Sequence, residues 1–157
     1  MTEKDLTAEL EAMADEIFDL TKIASAARAR ARTGAPEELS EAEFLTLDLL
    51  AQRETLTVGD IQKRVGVLPA QMSRIIRSLE AKGGDGFVRC GINPDDRRKI
   101  NVNISTKGRA AHQSYRAARR RFTVEILRNL APADRKQFMR ILGQIRDGIA
   151  NRLSAKT

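Results

Sequence analysis

The feature that most restricts the fold is a pair of short helical patterns separated by one glycine. Thr57 followed by Asp60 is a capping signature, which predicts a helix over residues 58–65 that ends at Gly66. A proline then begins a second helical pattern, residues 69–82, at a position that suits the first turn of a helix. Two short helices joined by so tight a turn indicate a helix-turn-helix.

The second of these helices has two chemically different faces. Its predicted buried stripe consists of Met72, Ile75, Ile76 and Leu79. The opposite face is small or polar at its start and basic further on, and it consists of Ala70, Gln71, Ser73, Arg74, Arg77 and Ser78. Glutamine and arginine can bond base edges and arginine can hold a phosphate, so this face suits the DNA major groove; it also suits plain solvation.

Upstream, Ser40 and Glu43 form another capping box, which predicts a helix ending near Arg53. Its apolar positions are Ala42, Leu45, Leu49 and Leu50. Downstream, the helical period gives way to alternation in residues 87–92 and 99–104, which predicts a β-hairpin. Helix-turn-helix and hairpin together predict a winged helix-turn-helix over residues 40–105.

The predicted hairpin carries a charged turn with Asp96, Arg97 and Arg98 at its tip. A stiff two-stranded support can deliver a guanidinium group into the electronegative minor groove, and pairing with a neighbouring aspartate would hold that arginine in place. The alternative is a charged turn that only keeps the hairpin in solution. Because the hairpin follows a helix-turn-helix, we favour the DNA contact.

The two ends of the chain have long helical patterns and opposite charges. One apolar seam runs along the first helix through Leu6, Leu10, Met13, Ile17 and Leu20, and residues 33–36 end it. Residues 1–40 contain 5 basic and 9 acidic side chains, whereas residues 105–157 contain 13 and 3. We expect the two ends to associate, within one chain or between two.

Composition narrows the classes of function. The 157 residues fit one domain, and a net charge of +7 makes a polyanion the first partner to consider. One Cys and one His exclude an internal disulfide and an ordinary Cys/His zinc site. We find no phosphate loop, no catalytic triad pattern and no metal-ligand spacing, so we expect no catalytic residues, cofactor or metal. No membrane helix or signal peptide is predicted, which indicates a cytoplasmic protein.

Three further candidates have two interpretations each. Cys90 is a redox switch or, as we favour, an inert thiol on the apolar side of a strand. His112 belongs to a ligand site or, more in keeping with a lone histidine, has a surface or packing role. The basic cluster of the fifth helix contacts DNA phosphates or pairs with the acidic first helix, and consists of Arg116, Arg119, Arg120 and Arg121.

Residues 96–108, DRRKINVNISTKG, resemble the wing signature of the MarR family of bacterial transcription regulators. Residues 56–61 and 72–80 are similar to its helix-turn-helix. The resemblance implies a mainly α fold with a small β-hairpin wing, one domain over residues 1–157, and a homodimer built from residues 1–34 and 106–157. Two departures are an apolar Leu68 before the recognition helix, where the family usually has a polar cap, and a longer connection at residues 83–86.

The resemblance also implies a function. We expect a sequence-specific regulator of transcription, a repressor that binds a palindromic operator in double-stranded DNA and is released by a small aromatic or phenolic effector. Ala70, Gln71, Ser73 and Arg74 are the predicted base contacts, Arg77 contacts base or phosphate, and the wing contacts come from Asp96, Arg97 and Arg98. The alternative function is a non-enzymatic helical dimer whose winged-helix segment binds another protein.

Overall fold

The computed structural model of the protein describes residues 2–31, 39–53 and 55–154, with backbone alone for residues 28–31. The elements are, in chain order, α1 (Glu3–Ala31), α2 (Glu41–Arg53), β1 (Thr55–Thr57), α3 (Val58–Val65), α4 (Pro69–Ala81), β2 (Val88–Ile92), β3 (Ile100–Ile104), α5 (Thr106–Arg128) and α6 (Pro132–Ser154). The mainly α fold with a small β-wing is confirmed. None of the helices in the described ranges is long and apolar enough to cross a membrane. The predicted stop at residues 33–36 lies outside these ranges.

The helix-turn-helix forms from the local signals that predicted it. Thr57 is the N-cap of α3 and its hydroxyl oxygen accepts the backbone N–H of Asp60 at 3.1 Å. Gly66 ends α3 with φ 75° and ψ 35°, a left-handed conformation that favours glycine. The departure at Leu68 is real, since this residue is the N-cap of α4 and its side chain makes no capping hydrogen bond.

The strands form an antiparallel sheet in the order β1-β3-β2. The hairpin that the alternating pattern predicted is present, and it pairs Val88 with Ile104 and Ile92 with Ile100. The third strand, β1, was not predicted: it pairs Leu56 with Val102 and ties the start of the helix-turn-helix to the wing. The core that these elements share consists of Leu39, Leu47, Leu50, Leu56, Ile61, Met72, Ile75, Ile76, Leu79, Phe87, Val88 and Val102.

The predicted apolar face of α2 is partly wrong. Its buried side chains are Glu43, Thr46, Leu47 and Leu50, whereas Leu45 is 39% exposed. A pattern of apolar residues cannot reveal a face that buries a carboxylate, because buried charges are rare and need partners supplied by other elements. The partners of Glu43 come from α4, which is distant in sequence.

The predicted apolar side of β2 is also wrong beyond its first residue. Val88 is buried, but Cys90 and Ile92 are exposed. The reason is position: β2 is an edge strand, so its outer half has sheet on one side only. Cys90 is therefore not the buried thiol that the alternation indicated.

Contacts divide the described chain into two compact units, Met1–Gln113 and Ser114–Thr157. The first holds α1, the winged helix-turn-helix and the start of α5. The second holds the rest of α5, which ends at Arg128, and α6, which begins at Pro132. The apolar seam of α1 is exposed along its length, and so are Phe138, Leu142 and Ile145 of α6.

Candidate nucleic-acid interface

Helix α4 separates its two faces cleanly. Met72, Ile75, Ile76 and Leu79 are buried, as predicted. All five predicted DNA contacts of this helix, Ala70, Gln71, Ser73, Arg74 and Arg77, are exposed. Ser73 donates its hydroxyl hydrogen to the backbone oxygen of Pro69 at 3.1 Å, so its oxygen remains available as an acceptor.

A buried carboxylate holds α4 against α2. Glu43 accepts hydrogen bonds from the Ser40 backbone N–H at 2.7 Å, the Ser78 hydroxyl at 2.6 Å and the Lys82 ammonium at 3.1 Å. Burial acts to raise the pKa of Glu43, but the hydrogen bonds from Ser78, Ser40 and Lys82 and the charge of Lys82 outweigh it, so this pKa lies below its ordinary value. Glu43 is therefore ionised, and it fixes the C-terminal half of α4.

The wing tip is held by side chains that bond the backbone. The Asn93 side-chain oxygen accepts the N–H groups of Asp95 and Asp96, both at 2.9 Å. Asp96 accepts the backbone N–H of Arg98 at 3.1 Å and pairs with Lys99 at 3.5 Å. The expected ion pair between an aspartate and an arginine is wrong, because the carboxylate of Asp96 accepts a backbone N–H within this tight turn instead.

The wing and the recognition helix share one groove of about 670 Å³. It brings together Ser73 and Arg77 of α4 with Arg98 of the wing. Lys63 of α3 and Lys99 also line it. Neither was among the predicted site residues, although residues 63–99 contain 9 basic and only 4 acidic side chains, a signal that could have identified them. Arg74 lies apart, in a cleft of about 470 Å³ beside Glu43 and Lys82.

The arginines of this surface are not neutralised by the described part of the chain. Within the described chain, Arg74, Arg77, Arg97 and Arg98 make no ion pair, and all four are exposed. Exposed guanidinium groups that lack internal partners suit phosphate oxygens or guanine edges. The described residues include no group of three or more side chains suited to a metal ion.

The longer connection between α4 and the wing folds back on itself. Gly83, Gly84 and Gly86 all have positive φ, and the Phe87 N–H donates to the Leu79 carbonyl oxygen at 2.7 Å. The Lys107 ammonium braces the turn through the Gly83 carbonyl oxygen at 2.9 Å. The extra residues therefore close a compact turn, and the wing begins directly beside the end of α4.

The structure bears on two of the three remaining candidates, whereas the role of the basic cluster of α5 stays a prediction. His112 is buried, lies 2.7 Å from Asp48 Oδ1 and stacks on Phe44, which confirms a packing role. Cys90 is exposed, yet partial desolvation and a hydrogen bond to the Glu80 carboxylate raise the pKa of its thiol to about 12. Such a thiol is a poor nucleophile. We therefore still expect low reactivity for Cys90, but because of its raised pKa and not because the thiol is buried.

A buried-core helix-turn-helix with an exposed polar recognition face and an arginine-tipped wing defines a winged-helix protein. A model of the MarR family matches residues 39–100. The uncharacterized HTH-type transcriptional regulator YdgJ of Bacillus subtilis (strain 168) is 28% identical over 113 residues, which cover 72% of this chain and 67% of the relative. The uncharacterized HTH-type transcriptional regulator ML2140 of Mycobacterium leprae (strain TN) is 33% identical over 106 residues, 68% of this chain and 70% of the relative.

Solved structures agree on the fold. A MarR family protein from Bacillus stearothermophilus superposes with a TM-score of 0.76 at 17% identity, covering 96% of this chain and 99% of its own. Bordetella bronchiseptica BpsR, whose DNA binding is described as regulated by 6-hydroxynicotinic acid, gives a TM-score of 0.61 at 22% identity over 83% of this chain and 98% of its own. The chain belongs to the MarR family, and its relatives are transcriptional regulators.

Proposed function

We propose that the protein is a homodimeric, non-enzymatic repressor that binds a palindromic operator, with one recognition helix of each subunit in the major groove. The observation that carries this proposal is the exposed face of α4, polar at its start and basic further on, beside a wing whose arginines form no ion pair with any described residue. Two such helices related by a two-fold axis suit half-sites about 34 Å apart. Such a repressor acts on the chromosome, and therefore in the cytoplasm.

Within a half-site, the assignments follow position along α4. Ala70, Gln71, Ser73 and Arg74 lie near the N-terminal end of the helix, which approaches base edges in this kind of docking. Arg77, one turn further, contacts base or phosphate. At the wing, Arg97 and Arg98 reach the minor groove while Asp96 holds the turn.

The dimer is supported by the exposed apolar seam of α1. Apolar side chains at 4-3-4-3 spacing, all exposed in the single chain, are unfavourable in water and favourable against a second helix. Residues 1–34 and 106–157 would supply this interface. A small aromatic or phenolic effector is supported by the likeness to BpsR and would act by favouring a separation of the two α4 helices that does not fit DNA.

Selection of bound fragments from random duplex DNA by the purified protein tests the proposal. We expect a palindrome, an affinity that falls steeply with salt because counterions are released, and a dimer in sedimentation. Arg74→Ala should weaken binding by about 1–3 kcal/mol with relaxed preference at one position, whereas Arg53→Ala, at an exposed basic residue in the last turn of α2, should leave binding unchanged. A protein that sediments as a monomer, or that prefers no DNA sequence, would contradict the proposal. DNA binding that does not weaken as the salt concentration rises would favour the alternative in which the winged-helix segment binds another protein.

A further inference from the structure

Leu68 is the most exposed large apolar side chain among the described residues, with 72% of its surface accessible. Most of the other exposed apolar side chains lie on α1, α5 and α6, whose seams suit helix pairing. Leu68 lies instead in the turn of the helix-turn-helix, immediately before the recognition helix. Its exposure therefore needs a different explanation.

The position of Leu68 is one where a polar residue would stabilise the protein. Leu68 is the N-cap of α4, and its carbonyl oxygen accepts the Met72 N–H at 2.9 Å, but its side chain caps nothing. Serine, threonine, asparagine and aspartate are strongly preferred here because they satisfy a free backbone N–H. The neighbouring helix α3 follows this rule with Thr57. Leucine at residue 68 thus loses a cap and exposes an apolar surface.

The N-terminal end of α4 is exposed to solvent. Residues 68–71 are all exposed, and the buried stripe begins only at Met72. Leu68, Pro69 and Ala70 give this exposed end three consecutive apolar residues. The same exposed surface continues into Arg74 and Arg77, so any partner of this end must also accommodate cations.

The DNA major groove meets both requirements. Phosphates accept the cations, and the 5-methyl group of thymine is the apolar feature that a base pair presents in this groove. We propose that Leu68 determines specificity by packing against a thymine methyl group in each half-site; this inference rests on the proposed DNA-binding function. It adds to the polar contacts of α4 a residue that reads thymine against cytosine and uracil.

Single thymine-to-deoxyuridine replacements in the selected operator test the inference directly, because they remove the methyl group and keep the base pairing. With the full-length wild-type protein, we expect the dissociation constant to rise about fourfold at one thymine in each half-site, the value for one buried methyl group. Replacement of thymines outside the reach of α4 should have no effect.

Two variants then assign the methyl contact to this residue. In Leu68→Ser and Leu68→Ala, the ratio of dissociation constants for the deoxyuridine and thymine operators should fall to about one at that position. Leu68→Ser should also melt at a higher temperature than Leu68→Ala, since serine caps α4, which shows that the lost discrimination is not lost folding. The control is Ile92→Ser on the wing, where the side chain is 67% exposed, and it should keep the fourfold ratio.

The outcomes separate this inference from the proposed function. If no DNA sequence is selected, the proposed function fails and the role of Leu68 fails with it. If an operator is selected but no thymine is sensitive to loss of its methyl group, the role of Leu68 alone is wrong. It is equally wrong if Leu68→Ala weakens binding to thymine and deoxyuridine operators by the same factor, since Leu68 would then contact backbone or another protein chain.

Discussion

Gly108 packs so closely on Phe87 that a β-carbon at residue 108 would lie 2.0 Å from the Phe87 carbonyl oxygen. Ser105 reinforces this junction: its N–H donates to the same Phe87 oxygen at 2.9 Å and its hydroxyl donates to the Gly86 carbonyl oxygen at 2.7 Å. The start of α5 is thereby held against the backbone at the base of the wing.

Gly108→Ala should therefore destabilise the protein. Backbone on both sides must shift to admit the methyl group, and overpacking of this kind costs about 1–3 kcal/mol. For a chain of this length, we expect the melting temperature to fall by roughly 3–10 °C in a calorimetric scan.

The matched control for this change is Gly91→Ala in β2, where no atom of the described residues beyond the adjoining ones lies within 4 Å of an added β-carbon. Glycine inside a strand is less favourable than alanine, so this variant should be more stable than the wild type by about 0.5–1 kcal/mol. If the two substitutions change the melting temperature equally, the contact with Phe87 does not restrict residue 108 to glycine.

The sequence predicted the helix-turn-helix because its signals are local. A hydroxyl at Thr57, a left-handed glycine at Gly66 and a proline at residue 69 act within a few residues of where they stand. The recognition face and the buried stripe of α4 follow from the same helical period. Where the structure depends on residues close in sequence, the sequence alone was enough to predict it.

The errors of prediction occur where contacts between residues distant in sequence determine a strand or the burial of a side chain. Strand β1 has three residues, too few for an alternating pattern, and exists because β3 offers it a partner. Glu43 can be buried because Ser78 and Lys82 donate hydrogen bonds to its carboxylate. Cys90 is exposed because β2 is an edge strand, and the order of strands cannot be deduced from alternation.

The stabilisation from Glu43 should depend on pH. Its pKa is lowered in the folded protein, so the unfolded chain binds the proton more tightly and the stabilisation is complete above the ordinary value of about 4.5. It is lost as the pH falls through the lower, folded value. In urea titrations, wild type should exceed Glu43→Gln in free energy of unfolding at pH 7, and the difference should shrink below about pH 4.5.

Ser78→Ala provides the second measurement for this cluster. It removes the hydroxyl hydrogen bond that helps to lower the pKa of Glu43, so the pH-dependent part of the stability should be smaller than in the wild type, and its loss should be complete at a higher pH. A difference between wild type and Glu43→Gln that stays constant down to about pH 3.5 would contradict the role assigned to the ionised carboxylate.

His112 should stabilise the contact between α5 and α2 through both its ring and its hydrogen bond. His112→Ala removes the stacking on Phe44 and leaves the Asp48 carboxylate without this partner, for a loss of about 2 kcal/mol. His112→Phe keeps an aromatic ring against Phe44, so its loss of stability should be smaller by about 1 kcal/mol. Gln113→Ala, at the exposed neighbouring position, should change the free energy of unfolding by under about 0.5 kcal/mol.

Cys90 should react slowly although it is exposed. Desolvation and the Glu80 carboxylate raise the pKa of its thiol to about 12, whereas the ordinary value is 9.0, so little thiolate forms at neutral pH. Alkylation by iodoacetamide at about pH 8 should be at least tenfold slower in the folded protein than in the same chain unfolded in urea. Glu80→Gln removes the charge that opposes ionisation, so the folded protein should then react faster, though desolvation keeps it below the unfolded rate. Equal rates in folded and unfolded wild type would show that the thiol ionises normally and would reopen a redox role for Cys90.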